Sequence, residues 1–145
     1  MASATAADAA DPQLSAPIHQ FIDSFNKGDA KAAAAAHVPG GVVIIDEVSP
    51  FAWQGPKAFE TWAADLARND KAQGVTDESV AVGEASREVV AGDRAYVVVP
   101  VVYTFKQKGV AMREAAQMSV ALARGVQGWK IAGWAWTGPD PSPAK

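Results

Sequence analysis

The chain has 145 residues, 49% of them apolar and 20% charged, which suits one domain around one core and leaves no room for a second. Its net charge is −3 and its thirteen Lys and Arg are scattered singly, which excludes the basic stripe that a nucleic-acid partner requires. The longest nearly unbroken apolar run, Ala95 to Phe105, is interrupted by Pro100 and falls well short of the roughly 20 residues needed to cross a bilayer, so no membrane span is expected.

Residues 1–13 are dominated by alanine, contain almost nothing to bury and read as a flexible leader. Ala2-Ser3-Ala4 is similar to the small-residue end of a secretory signal, but no charged and apolar regions precede it. The location expected is cytoplasmic, or exported if a signal has been trimmed before Ala2. The absence of cysteine removes disulfides and thiolate ligands but is silent on compartment.

From Leu14 a single domain is expected to run to Thr137. Leu14, Ile18, Phe21, Ile22 and Phe25 recur at helical spacing, with Ser15 placed to cap and Pro17 tolerable in the first turn. In Asn26-Lys27-Gly28-Asp29, the glycine suits a left-handed helix end and the aspartate caps a second helix over Ala30 to His37. Pro39-Gly40-Gly41 ends that helix, and Val42 to Ile45 reads as a short strand. After a loop over Asp46 to Gln54, Gly55-Pro56 opens a third helix whose Phe59, Trp62, Ala63 and Leu66 share a face.

Beyond Asn69 the period becomes strand-like. Val75–Val90, Arg94–Lys106, Val110–Arg124 and Trp129–Thr137 read as four long strands, and the short turns between them make neighbours antiparallel. Pro100 lacks a ladder donor and predicts a bulge in the second of these strands, as a bent sheet needs. The tail over residues 138–145, with prolines at 139, 141 and 143, is expected to be extended, exposed and outside any ladder. Both faces of the Ala95 to Phe105 run are largely apolar, so both must be covered; helices can cover one, and a second copy of the chain is expected on the other.

The order helix, Asn26-Lys27-Gly28-Asp29, helix, strand, Gly55 and third helix, then four strands ending in Gly128-Trp129-Lys130-Ile131, resembles the nuclear transport factor 2-like superfamily. More narrowly it resembles the ketosteroid isomerase and SnoaL-like polyketide cyclase branch. The resemblance implies an α+β fold in which three N-terminal helices pack on a strongly curved antiparallel sheet, giving a cone-shaped domain with an apolar pocket inside and, usually, a homodimer. In ketosteroid isomerases a carboxylate nine residues before the glycine of the third helix moves the proton, and Asp46 stands nine before Gly55. The family's tyrosine, seven residues before the corner glycine, is Phe21 here, and its second acid falls near Met118 and Ser119. Without those donors, little turnover of a Δ5-3-ketosteroid is expected.

Asp46 is therefore the candidate general base, against the plain reading of a polar loop residue beside Glu47. Trp134 and Trp136 share a strand face that the resemblance turns toward the pocket, with Tyr103 and Met118 nearby; Phe21 and Trp62 complete a candidate aromatic wall, and ordinary core packing is the alternative for all of them. Trp129 and Ile131 fall on the opposite face of their strand and are expected in the dimer contact or the hydrophobic surface beneath it. Arg113, Gln117 and Ser119 alternate along one strand face, where they either contact a ligand or meet solvent. His19 and His37 lack a ligand-pair spacing, so no metal is expected, and no phosphate or dinucleotide motif implies a cofactor. The expected function is binding of a small apolar or aromatic molecule, with weak acid–base activity centred on Asp46. The alternatives are an isomerase- or cyclase-like enzyme using Asp46, and a non-catalytic dimerisation scaffold.

Overall fold

The computed structural model describes residues 11–144. Of the expected leader, residues 1–10 lie outside the described residues. Helix α1 (Pro12–Lys27) starts a turn before Ser15, because the Asp11 side chain accepts from the Gln13 amide at 2.8 Å and Pro12 occupies the first turn, where no donor is needed. Leu14, Ile18, Phe21 and Ile22 of the expected stripe are buried, Phe25 is partly so, and Gly28 ends the helix with φ 75°. Asp29 then accepts from the Ala32 amide at 3.0 Å and starts α2 (Ala30–Ala35), which stops short of His37.

Strand β1 (Val42–Ile45) is followed by β2 (Ala52–Gly55), which pairs back on it inside the segment expected to be a loop. Helix α3 (Ala58–Gln73) follows, then β3 (Val75–Val82), β4 (Arg87–Ala91), β5 (Arg94–Gln107), β6 (Val110–Gly125), β7 (Gly128–Thr137) and β8 (Ser142–Pro143). The sheet runs β2-β1-β7-β6-β5-β3, with β4 also on β5 and β8 also on β6. One face carries Val97, Val99 and Val101 of β5 and Met118, Val120 and Leu122 of β6, packed in a core with Leu14, Ile18 and Phe21 of α1. Each such side chain removed from water contributes about 1.5 to 3 kcal/mol.

Several expectations need correction. The sheet is mixed rather than antiparallel, because β1 runs parallel to β7. Short turns enforce antiparallel pairing only between sequential strands, and these two are joined through most of the chain. The strand expected over Val75–Val90 is divided into β3 and β4, both paired with β5. Residues 83–86 leave the ladder opposite Val99 and Pro100, while β5 itself pairs with β6 without a break through Pro100↔Gln117. The irregularity expected of Pro100 thus lies in its neighbour: the missing N–H faces that gap, and the Pro100 carbonyl accepts there from Gly83 at 2.9 Å.

In β7 the pairing jumps from Ala121↔Gly133 to Leu122↔Ile131, so Ala132 is an extra residue. That bulge reverses the alternation, and Ile131 is turned into the core at 1% exposure instead of lying opposite Trp134. Trp129, on the same side of the bulge, packs against the core as well and is covered by the Arg124 guanidinium, 5.1 Å from its ring centroid.

The tail also departs from expectation. Strand β7 pairs with β6 only from Gln117 to Gly125, which leaves the first half of β6 with an open edge. Ser142 and Pro143 pair there with Arg113 and Met112, and the Ala144 amide donates to Ala111 at 2.9 Å. At an edge, a proline's missing donor costs the ladder nothing.

Candidate functional site

Between α1, α3 and the inner face of the sheet lies a cavity of about 290 Å³. Its aromatic wall is assembled from distant elements. Phe21 of α1 meets Trp62 of α3 edge-on at 6.0 Å and Trp134 of β7 at 5.4 Å, and Trp62 stands perpendicular to Trp134 at 5.1 Å. Further along, Tyr103 of β5 meets Trp136 edge-on at 6.0 Å. Alternation explains the sheet's contribution: Met118 and Trp136 are direct cross-strand partners on the inner face, as are Val120 and Trp134.

Seven of the residues singled out in the sequence border this cavity: Asp46, Phe21, Trp62, Tyr103, Met118, Trp134 and Trp136. Ser119 does not. It follows Met118 directly in β6, so it points to the other face, where it pairs with Val98 and Ala135. Arg113 and Gln117 share that outer face and are exposed.

Asp46 sits at the end of β1, where its amide donates to the Phe51 carbonyl at 3.1 Å. Trp62 Nε1 donates to Oδ2 at 2.7 Å, and the Glu47 amide donates to Oδ1 at 2.7 Å. Burial raises the Asp46 pKa; the two hydrogen bonds oppose that rise only in part, and the charge of Glu114 adds to it.

Four further carboxyl groups border the same cavity: Glu47, Asp70, Glu78 and Glu114. Glu114 lies in β6 at 2% exposure. Its Oε2 accepts from Trp136 Nε1 at 3.0 Å, while its Oε1 receives no hydrogen bond. The tail backbone closes over it, since a Cβ at Gly138 would collide with Oε2. Glu47, more than a third exposed at the mouth, has its pKa raised to about 8, first by partial burial and then by hydrogen bonding to, and repulsion from, Glu114. Asp70 is likewise raised to about 8 by burial and then by its hydrogen bond and repulsion with Glu78. Tyr103 donates to Glu78 Oε2 at 2.5 Å, and burial, then that bond, pushes its phenol up. In both cases a second carboxyl close by in a partly buried site makes ionisation of Glu47 or Asp70 more costly.

The sequence did carry a signal for these groups. Glu114 breaks the apolar face Ala116, Met118, Val120, Leu122 at its own period of two, and Asp70 continues the helical stripe Trp62, Leu66 at intervals of four. A charge on an apolar face is the pattern to search for.

The two histidines are elsewhere. His19 is exposed. His37 is buried against Phe21 and Phe59, its Nδ1 donating to the Ala33 carbonyl at 3.0 Å, and burial lowers its pKa to about 4, so it is neutral. Among the described residues, no three His, Asp or Glu side chains come together as a metal-binding group, and no helix is long and apolar enough to cross a membrane.

Comparison with curated protein sequences gives no match. Solved structures do share the architecture. A ketosteroid isomerase-like protein from Erwinia carotovora atroseptica superposes with TM-score 0.66 at 21% identity, over 88% of this chain and 95% of that one. A nuclear transport factor 2-like superfamily protein from Salmonella enterica serovar Typhimurium gives TM-score 0.71 at 14% identity, over 88% and 89%. A type 2 hexachlorocyclohexane dehydrochlorinase gives 0.71 at 15%, over 90% and 88%. These identities establish a common fold alone. The SnoaL-like domain family matches residues 14–135, nearly the whole of the helices and sheet just described, and the chain belongs to that family.

Proposed function

We propose that this protein binds a small, largely aromatic or apolar molecule in the cavity between α1, α3 and the sheet. The sheet, in this reading, curves round the helices as a cone, and its inner face is the wall against which the molecule lies. The observation that supports it most is the convergence of Phe21, Trp62, Trp134, Trp136 and Tyr103 from four separate elements around unfilled space of about 290 Å³. A core packed only for stability leaves few voids larger than a water molecule.

The test is binding of a library of small aromatic compounds, read by fluorescence in the parent, Trp134→Phe and Trp136→Phe. Phenylalanine keeps much of the packing volume. Each replacement is expected to weaken binding by about 0.5 to 1.5 kcal/mol, the scale of one aromatic contact beyond area burial. Unchanged affinity in both folded variants moves the site elsewhere, and a library without a single binder leaves the scaffold reading in its place.

A second reading is acid–base catalysis, with Asp46 as general base of an isomerase- or cyclase-like enzyme. It is favoured by the Trp62 Nε1 bond to Asp46, which orients a carboxylate whose basicity burial has raised. Asp46→Asn is then expected to abolish turnover of any substrate found while leaving its binding within a fewfold. A homodimer through the outer sheet face, away from the cavity, completes the proposal.

A further inference from the structure

The cavity that the proposed function fills with an aromatic or apolar molecule also has an unusual charge. Five carboxyl groups border it and no Lys, Arg or His does. They come from every side that carries a titratable group: Asp46 and Glu47 after β1, Asp70 from α3, Glu78 from β3 beside the Tyr103 phenol of β5, and Glu114 from β6, with Asp140 of the tail close enough to act on Glu47. The lining residues of α1 and β7 are apolar or aromatic. The charge of Asp46 acts on both Asp70 and Glu47.

An acidic cluster alone would say little. Here it coincides with a second feature: Glu114 is a wall residue only 2% exposed, and its Oε1 accepts nothing. The neighbouring Glu47 can donate to it only by taking up a proton. A buried carboxylate oxygen without a donor costs stability unless a cation or proton satisfies it. The carboxyls do not gather as a metal-binding group. They are spread among indole and phenol rings, whose faces attract the ammonium groups of organic cations.

We propose that the molecule bound in this cavity is an organic cation, an amine carried on an aromatic or alicyclic body, with its ammonium held by Glu114 and Glu47 beside Asp46 and its body against Trp62, Trp134 and Trp136. The inference rests on the cavity being the binding site. It adds that binding exchanges a shared proton for the ligand's charge: the ammonium forms N–H···O bonds to the Glu47–Glu114 pair and the pair releases its proton to solvent. Affinity therefore rises with pH from about 6 to about 8, by up to tenfold per unit for one released proton, and flattens where the pair is already ionised.

The experiment compares 2-naphthylmethylamine, 2-naphthylmethanol and 2-naphthoate on the full chain by titration calorimetry at pH 6 and pH 8, in two buffers of different ionisation enthalpy. The amine is expected to bind at least tenfold tighter than the alcohol at pH 8, with a smaller advantage at pH 6 and with proton release. Glu114→Gln is expected to cost the amine about tenfold and the alcohol less than twofold. Glu47→Gln, at the exposed mouth, gives the same discrimination if burial of the amide unfolds the first variant. Alcohol or carboxylate binding as tightly as the amine overturns the cation while leaving the binding site intact. Failure of all three, and of the wider aromatic library, overturns both.

Discussion

Asp70 and Glu78 show how single residues couple this site to the stability of the fold. In the folded chain Asp70 titrates near 8, while the unfolded value is the ordinary 3.8. Between those values the folded state holds a proton that the unfolded state has lost, so this contribution to stability is full below about pH 4 and declines as pH rises toward 8. Glu47 acts in the same sense. His37 opposes them, because its pKa near 4 lies below the usual 6.5 and adds stability as pH climbs between the two. The carboxyl effect outlasts it, and from pH 6.5 to 8 the net slope is downward. Asp70→Asn keeps a donor for Glu78 without a charge. It is expected to be more stable than the parent at pH 8 by on the order of 1 to 2 kcal/mol, solvent at the cavity mouth screening part of the larger intrinsic effect, with no advantage near pH 4. Urea unfolding at the two pH values checks this, and an equal effect at both would show that the pair shares no proton.

At the level of elements, the parallel contact between β1 and β7 carries Asp46 to the cavity. Gly133 makes that contact possible: a Cβ there would stand 2.9 Å from the Val43 carbonyl oxygen, at the first pair of the Val43↔Gly133, Ile44↔Trp134, Ile45↔Ala135 register. Gly133→Ala is expected to lose about 1 to 3 kcal/mol by overpacking and to displace Asp46 from Trp62. Gly125, at the end of β6, has open space where its Cβ would be. Gly125→Ala serves as the comparison and is expected within about 0.5 kcal/mol of the parent. Denaturant midpoints for both separate backbone clash from a general intolerance of alanine.

For the whole molecule, the outer face of the sheet is the remaining question of covering. Tyr96, Val98 and Val102 of β5 lie beside Ala121, Ser119 and Ala115 of β6, and Ser119 and Ala121 lie beside Ala135 and Gly133 of β7. Tyr96 is 43% exposed, and Val89, its cross-strand partner on the neighbouring β4, is exposed to a similar degree. Small side chains here allow close approach, and an exposed apolar patch on a sheet invites a second copy. The proposed homodimer predicts sedimentation as a dimer at micromolar concentration and at least a tenfold weaker association for Ala121→Arg, whose charge would be desolvated at the contact. A monomer at every concentration removes the interface.

Local chemistry was legible in the amino-acid sequence by itself. The helical stripe of α1, the Gly28-Asp29 corner and the turns near 92, 108 and 126 appear where periodicity and turn residues placed them, whereas α3 starts at Ala58 because Gly55 is taken up by β2; the features that held each depend on neighbours within a few residues. Family membership and seven cavity-lining residues followed from the same local pattern and its resemblance. What only the tertiary structure decided is whatever depends on pairing across the chain. The extra residue at Ala132 reverses which face Ile131 occupies, the half-open edge of β6 recruits a tail rich in proline, and β1 joins β7 in parallel. The gathering of Asp46, Asp70, Glu78 and Glu114 has the same origin: each belongs to a different segment of the chain, and only packing brings these segments around one cavity.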